Sequence, residues 1–210
     1  HGDYHALWIN PANSNHVING SDGGIHQSFD KGRTWEHLNG VPLGQFYEIN
    51  ADNQKPYNVC GGLQDNGTWH GPSRTMVREG IQLNDWKTIG GGDGFHCVID
   101  PVDPSTVYVE SQDGNISRVN LKNLERTSIR PAPADPAEKY RFNWNSPILV
   151  SLHDHNTVFY GGNKFFMSKD RGDSWTELSG DLTNNEKRDE KPIFGKTAKE
   201  FMSRNDGVVH

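Results

Sequence analysis

Apolar and polar residues alternate along this chain in short bursts, and each burst ends at a cluster of Pro, Asn, Asp or Gly. That is the pattern of half-buried strands joined by tight turns. The bursts also repeat. HALWINPANSNHVINGSDGGIHQSFDKGRTW (His5 to Trp35) sets out an apolar strand, a Pro/Asn/Asp turn, a Val-centred strand, a Gly/Asp/Asn turn and a third strand. The same grammar returns in HCVIDPVDPSTVYVESQDGNISRVNL (His96 to Leu121) and in SPILVSLHDHNTVFYGGNKFFMSKDRGDSW (Ser146 to Trp175). A weaker copy, EINADNQKPYNVCGGLQDNGTW, runs from Glu48 to Trp69. Aligned on Val17, Val59, Val107 and Val158, the copies are 42, 48 and 51 residues apart. Those are the lengths of four-stranded propeller blades. The pattern therefore predicts an all-β fold, a β-propeller of about four consecutive antiparallel blades, at approximately 1–43, 44–89, 90–140 and 141–183. Strands are expected to centre near Leu7, Val17, His26, Val59, Val98, Val107, Val119, Val150, Val158 and Phe166.

Within this grammar one octapeptide is written twice: SFDKGRTW at 28–35 and SKDRGDSW at 168–175. Both read Ser-x-Asp-x-Gly-x-(Thr/Ser)-Trp, and both fall in the hairpin between the third and fourth strands. Gly32 and Gly172 suit a positive φ at the turn. Asp30 and Asp170 are placed to accept turn amides, assisted by the hydroxyls of Ser28, Thr34, Ser168 and Ser174. Trp35 and Trp175 are expected to cover the hairpin and bury a large area against a neighbouring turn. None of this requires a substrate, so the octapeptide is scaffold. Asp65–Trp69 and Asp113–Ser117 read as eroded copies in the two intervening blades.

Composition agrees with a turn-rich β protein. The chain has 210 residues, 32% of them hydrophobic, with 23 Gly and 11 Pro. The formal charge is −6 and the basic residues are scattered singly, which argues against nucleic acid or an anionic membrane as partner. No apolar run approaches the roughly 18 residues that a membrane span needs. Cys60 and Cys97 offer neither a disulfide framework nor metal-ligand spacing, and read as small buried strand residues. The start at His1 without Met, and a stop in mid-pattern, suggest an internal fragment. The charged run 184–191 reads as a solvated loop. The segment beyond it, 184–210 in all, is expected to lead into a further blade, with a short helix around Ala198 to Met202 and a turn at Asn205 to Gly207.

The octapeptides resemble the Asp-box of bacterial-neuraminidase-repeat propellers, which is shared by sialidases, xyloglucan-active glycosidases, sortilin-type receptors and photosystem-assembly propellers. Nearly the whole chain looks like the bacterial secreted sortilin-like proteins often labelled glycosyl hydrolase. WINPANSNHVINGSDGGIHQSFDKGRTWEHLNGVPLGQFYEI, VCGGLQDNGTWHGPS, IGGGDGFHCVIDP and FNWNSPILVS carry that likeness. The resemblance implies an extracytoplasmic β-propeller, secreted or periplasmic, that packs with the remaining blades of a parent protein. It implies no particular reaction, because the Asp-box is structural across that superfamily. The arginine cluster of a sialidase is not recognisable among Arg33, Arg74, Arg118, Arg141 and Arg171.

Repeat phase also marks where a site would converge. The segments leading into the first strands hold Asp3, His5, Gln45, Tyr47, Asp93, His96, Asn143, Trp144 and Asn145. Large polar and aromatic groups at one phase suit a mouth that binds glycan or polypeptide, although the same groups could instead close the strand ends by bonding one another. His1, Asp3 and His5 alternate as metal ligands can, but lack an identifiable fourth, so no metal and no cofactor is assigned. A second phase-matched set, Asp22, Asp65 and Asp113 with Asn163, lies in turns. Asp22 and Asp65 are weak catalytic candidates, since xyloglucan-active propellers carry a catalytic Asp in a similar turn. Their partner carboxylate, however, comes from a second propeller. The expected function is thus a binding module of unproven catalysis, with a polysaccharide hydrolase or an assembly scaffold as alternatives.

Overall fold

In the computed structural model, residues 3–38, 44–186, 191–193 and 196–197 are described. The chain is almost entirely β and forms four four-stranded antiparallel sheets, each a meander in sequence order. The first contains β1 (Tyr4–Ile9), β2 (Val17–Ser21), β3 (Gly24–Ser28) and β4 (Glu36–His37). The second contains β5 (Phe46–Ala51), β6 (Asn58–Leu63), β7 (Gly67–Pro72) and β8 (Lys87–Gly90). The third contains β9 (Gly94–Ile99), β10 (Thr106–Ser111), β11 (Asn115–Asn120) and β12 (Glu125–Ser128). The fourth contains β13 (Ile148–Val150), β14 (Val158–Gly161), β15 (Phe165–Ser168) and β16 (Thr176–Glu177). A small hairpin, β17 (Pro192–Ile193) and β18 (Lys196–Thr197), follows. Helix among the described residues is confined to two three-residue 3-10 turns, Leu83–Asp85 and Gln112–Gly114. Each predicted strand centre falls within a strand. These are propeller-type blades. The expected helix at Ala198 to Met202 and the turn at Asn205 to Gly207 lie outside the described residues.

The chain divides into two compact units, His1–Gln45 and Phe46–His210. In the larger unit, alternation along β10 explains how one sheet serves two interfaces. Val107 and Val109 pair with Ile99 and Cys97, and Val107 also pairs with Val119. That face packs on Cys60 and Ile89 of the second sheet. The opposite face carries Tyr108 and Ile116, which pack with Ile148, Val150, Val158, Tyr160 and Phe166 of the fourth sheet. A strand buried on both faces needs apolar residues throughout, and TVYVES nearly supplies them.

Glycine sets how closely the second and third sheets approach. A Cβ on Gly62 would lie 2.1 Å from the carbonyl of Gly94, and one on Gly94 would lie 2.5 Å from the oxygen of Gly67. Here backbone meets backbone, so any side chain must push the sheets apart. A disulfide between Cys60 and Cys97 crosses the same junction. The cysteines are buried strand residues, as expected, and they are also bonded to each other, which the sequence reading did not foresee. Two cysteines form no framework in sequence, and only the close glycine packing brings β6 and β9 within bonding reach.

The octapeptides form matching cages. In the first, the Ser28 hydroxyl donates to Asp30 Oδ1 (2.8 Å) and accepts from Gly32 N (2.8 Å). Asp30 accepts from Thr34 N (2.9 Å) and from the Thr34 hydroxyl (2.7 Å). In the second, Ser168 donates to Asp170 (2.7 Å) and accepts from Gly172 N (2.7 Å), while Ser174 N and Oγ donate to Asp170 at 2.8 and 2.5 Å. Gly32 and Gly172 hold φ of 84° and 96°, and the preceding Lys31 and Arg171 are also left-handed, both at 62°. Their amides donate to Asn15 O and Asn156 O, which ties each cage to the turn before the second strand of its own sheet.

Two expectations about this motif need correction. Asp65–Trp69 and Asp113–Ser117 are not eroded octapeptides, because they occupy the hairpins between second and third strands, where Asp22 also sits. The residue of the second sheet that stands where Trp35 and Trp175 stand, just before the fourth strand, is Trp86, which packs over Gly71. Nor are the two octapeptide tryptophans alike. Trp175 packs on the buried core and donates Nε1–H to Ile129 O at 2.7 Å, whereas Trp35 is 44% exposed.

Candidate functional site

Antiparallel pairing puts the start of each first strand at the same end of its sheet as the hairpin between the second and third strands. Phe46 pairs with Leu63, Gly94 with Ser111 and Ile148 with Tyr160. The octapeptide turn, between third and fourth strands, is therefore at the other end. In all of the first three sheets the register slips beside the first residue of the first strand. Such bulges re-aim side chains. They fall at His5, at Tyr47 and at the Phe95–His96 step, and His5, Tyr47 and His96 are among the residues singled out for a mouth.

In the larger unit, Asp93 ties this end together. Its Oδ1 accepts Asp65 N (2.6 Å) and its Oδ2 accepts Gln112 Nε2 (3.1 Å), which joins the hairpins of the second and third sheets. Gly67 N adds a bond to Gly92 O at 2.8 Å. With both oxygens engaged and only 6% exposure, Asp93 holds its neighbours in place and offers little to a ligand. Tyr47 lies against Phe95, ring centroids 4.6 Å apart, and stays 39% exposed. Its hydroxyl is pushed above the usual tyrosine range, first by desolvation and then by the carboxylates of Asp93 and Asp65. His96 Nδ1 lies 2.8 Å from Glu48 Oε2, and this pair bridges the first strands of the second and third sheets.

Asn143 and Trp144 lead into β13. Asn143 Oδ1 accepts Trp144 N at 2.8 Å, forming a local turn, and the Trp144 ring is 45% exposed. Beneath them, Ser146 N donates to Glu110 Oε1 at 3.1 Å. Glu110 is 1% exposed, and burial raises its carboxyl from 4.5 to about 8. Amides of Ser146 and His96 oppose that rise, while Glu48 and Asp113 add to it. Its Oε2, Asn145 Oδ1 and the Tyr160 hydroxyl are buried without a hydrogen-bond partner among the described residues. Sequence reading did not single out Glu110. A lone Glu amid the apolar run TVYVES was the available signal.

The smaller unit holds the rest of the set. His5 Nε2 lies 2.9 Å from Asp22 Oδ1, and Asp22 N donates to Asp3 O at 3.3 Å. Asp3 adopts a left-handed φ of 57°, and Gln45 is exposed. Asp22 occupies a two-residue turn between β2 and β3, and Asp65 takes φ of 59° in a three-residue one. Both are turn positions where Asp is favoured for its own backbone.

No protein-family model matches the chain, and no curated protein matches it either. Among solved structures it is similar to an ancestral GH74 enzyme, at 13% identity over 85% of this chain and 24% of the other, with a TM-score of 0.47. It is similar to the GH74 xyloglucanase from Xanthomonas campestris, at 14% identity over 85% of this chain and 30% of the other, TM-score 0.45. It is also similar to apo AztD from Citrobacter koseri, at 14% identity over 85% and 47%, TM-score 0.44. The chain spans less than half the length of each of these three structures.

Proposed function

We propose that the chain is a propeller module of the Asp-box type, outside the cytoplasm, which binds glycan or polypeptide at the end where its first strands begin. The observation that carries this reading is the exposure of the Tyr47 and Trp144 rings beside a layer of polar groups already fixed by mutual bonds. Aromatic faces with pre-oriented polar neighbours suit sugar rings and peptide side chains alike. Asp93, Gln112 and the Glu48–His96 pair serve as the rigid backing, and Asn143 edges the Trp144 ring. The Cys60–Cys97 bond supports an oxidising compartment, because such bonds persist in secreted and periplasmic proteins.

Catalysis is not part of this reading. An inverting glycosidase needs two carboxylates about 6.5–9.5 Å apart with room for water. Asp22 is engaged by His5, Asp65 sits in a turn anchored on Asp93, and Glu110 is sealed from solvent. Arrays of neutral glycans and of peptides, probed with the full chain and with Tyr47→Ala and Trp144→Ala, test the proposal. At least one ligand whose retention both variants abolish without a change in melting supports it. Equal retention of every ligand by all three proteins, or release of reducing ends by the wild type, overturns it.

A further inference from the structure

The third sheet and the second octapeptide enclose a cleft of about 400 Å3 at the end away from Tyr47 and Trp144. Its floor follows from strand register. Arg118 pairs with Thr127 and Asn120 with Glu125, so these four side chains stand on one face, the same face that carries Tyr108, the partner of Arg118 on β10. Arg171 and Asp173, from the octapeptide loop of the fourth sheet, close the other side. Lys31 and Arg33 stand at those positions in the first octapeptide, so the cleft is not a product of the repeat.

Charge decides what such a cleft can hold. Arg118 donates to Arg171 O (2.8 Å) and to Asp173 Oδ1 (2.9 Å). Arg171 donates to Asp100 and Asp103, both at 3.2 Å. Both guanidinium charges are thus matched by carboxylates, and Glu125 adds a further negative group. Nothing is left to attract a phosphate, sulfate or uronate. Yet each guanidinium has five N–H donors, and those not spent on the ion pairs stay fixed in direction. Arg171 Nε, buried, has no acceptor among the described residues. The lining has no aromatic ring and, apart from Val119, no apolar side chain, so an apolar ligand would gain little.

We infer that this cleft is a binding site for a neutral saccharide, whose hydroxyls accept from the arginines and Asn120 and donate to Glu125 and Asp173. A hydroxyl both donates and accepts, which fits a lining of mixed donors and acceptors without net positive charge. The volume lies within the roughly 300–1,000 Å3 range of small-molecule sites. This site is separate from the one proposed above and shares no residue with it.

The test is an amide NMR titration of the full chain with cellotetraose, mannotetraose and galactotetraose, and with a galacturonate oligomer as the acidic counterpart. Saturable shifts of Asn120, Glu125 and Thr127 with at least one neutral sugar are expected. Glu125→Ala and Thr127→Ala, both at exposed positions, should each weaken that binding by about tenfold with melting unchanged. Tyr47→Ala should leave it intact. The inference is overturned if no neutral sugar gives saturable shifts there, if the acidic oligomer binds more tightly, or if Glu125→Ala binds as well as the wild type.

Discussion

The two octapeptides share one cage and have different surroundings. Ser, Asp, Gly and Thr or Ser make the same bonds at 28–35 and 168–175, within a few tenths of an ångström. Burial lowers neither aspartate. Hydrogen bonds do, chiefly from the Thr34 and Ser174 hydroxyls, and they bring both carboxyls to about 2. Beyond the cage the likeness ends. Trp175 and Gly172 press on Ile129 at the junction of the third and fourth sheets, while Trp35 lies over its own Gly32 and faces solvent. A motif can therefore dictate a local turn completely and still leave its energetic weight to whatever packs beside it.

The largest expected difference follows from the tryptophans. Trp175→Ala should cost about 3–5 kcal/mol and Trp35→Ala under about 1 kcal/mol in denaturant unfolding. Equal costs would break the comparison. The next effect belongs to the junction that Trp175 covers. Because burial raises the Glu110 carboxyl from 4.5 to about 8, the folded chain keeps a proton there that the unfolded chain releases. Stability should be intact below about pH 4.5 and fall as pH rises to 8, by up to about 4 kcal/mol, with Glu110→Gln abolishing that slope. A flat profile in the wild type would contradict the assignment.

Glycine sharpens the contrast further. Gly172→Ala places a methyl 2.6 Å from Ile129 Cδ1 at positive φ, whereas Gly32→Ala meets only the edge of Trp35 at 3.2 Å. The first should cost about 2–3 kcal/mol and the second about 1 kcal/mol, measured by thermal melting. The smallest difference expected is between the aspartates. Both carboxyls are lowered from 3.8 to about 2, so their contribution is present above pH 3.8 and lost as pH falls through 2. Acid unfolding of Asp30→Asn and Asp170→Asn should shift alike, and unequal shifts would show that the cages differ after all.

Much of this was readable from the residues. Alternation and turn chemistry located the strands, and Ser-x-Asp-x-Gly specified a turn through contacts within eight residues. Most of what failed depended on a neighbouring sheet; the supposed eroded octapeptides failed because Asp-Asn-Gly and Asp-Gly equally build the hairpin between second and third strands. Trp35 and Trp175 look identical in sequence, and only Ile129, almost fifty positions before Trp175, separates them. Cys60 and Cys97 meet because Gly62 and Gly94 let two backbones touch. Asp93 stood out by phase as a candidate ligand contact, and the structure spends it on Asp65 and Gln112. Trp86 went unnoticed because its loop is longer than the octapeptide that frames the other two. The exposed pair, Tyr47 and Trp144, was legible, since large aromatics at one phase of a repeat have no turn to build.

The central claim is that Tyr47 and Trp144 serve recognition at the end where the first strands begin, and that the Ser-x-Asp-x-Gly cages at the other end are scaffold, whatever the cleft beside the second cage binds. A crossed measurement of ligand retention and melting temperature on Trp144→Ala and Asp170→Ala tests it most directly. Both are made in the Glu125→Ala chain, which silences the cleft beside the second octapeptide. The account predicts that Trp144→Ala then loses retention on the glycan or peptide array at unchanged melting, and that Asp170→Ala melts earlier yet retains ligand while folded. The reverse result, with retention lost in Asp170→Ala and melting lost in Trp144→Ala, would contradict it.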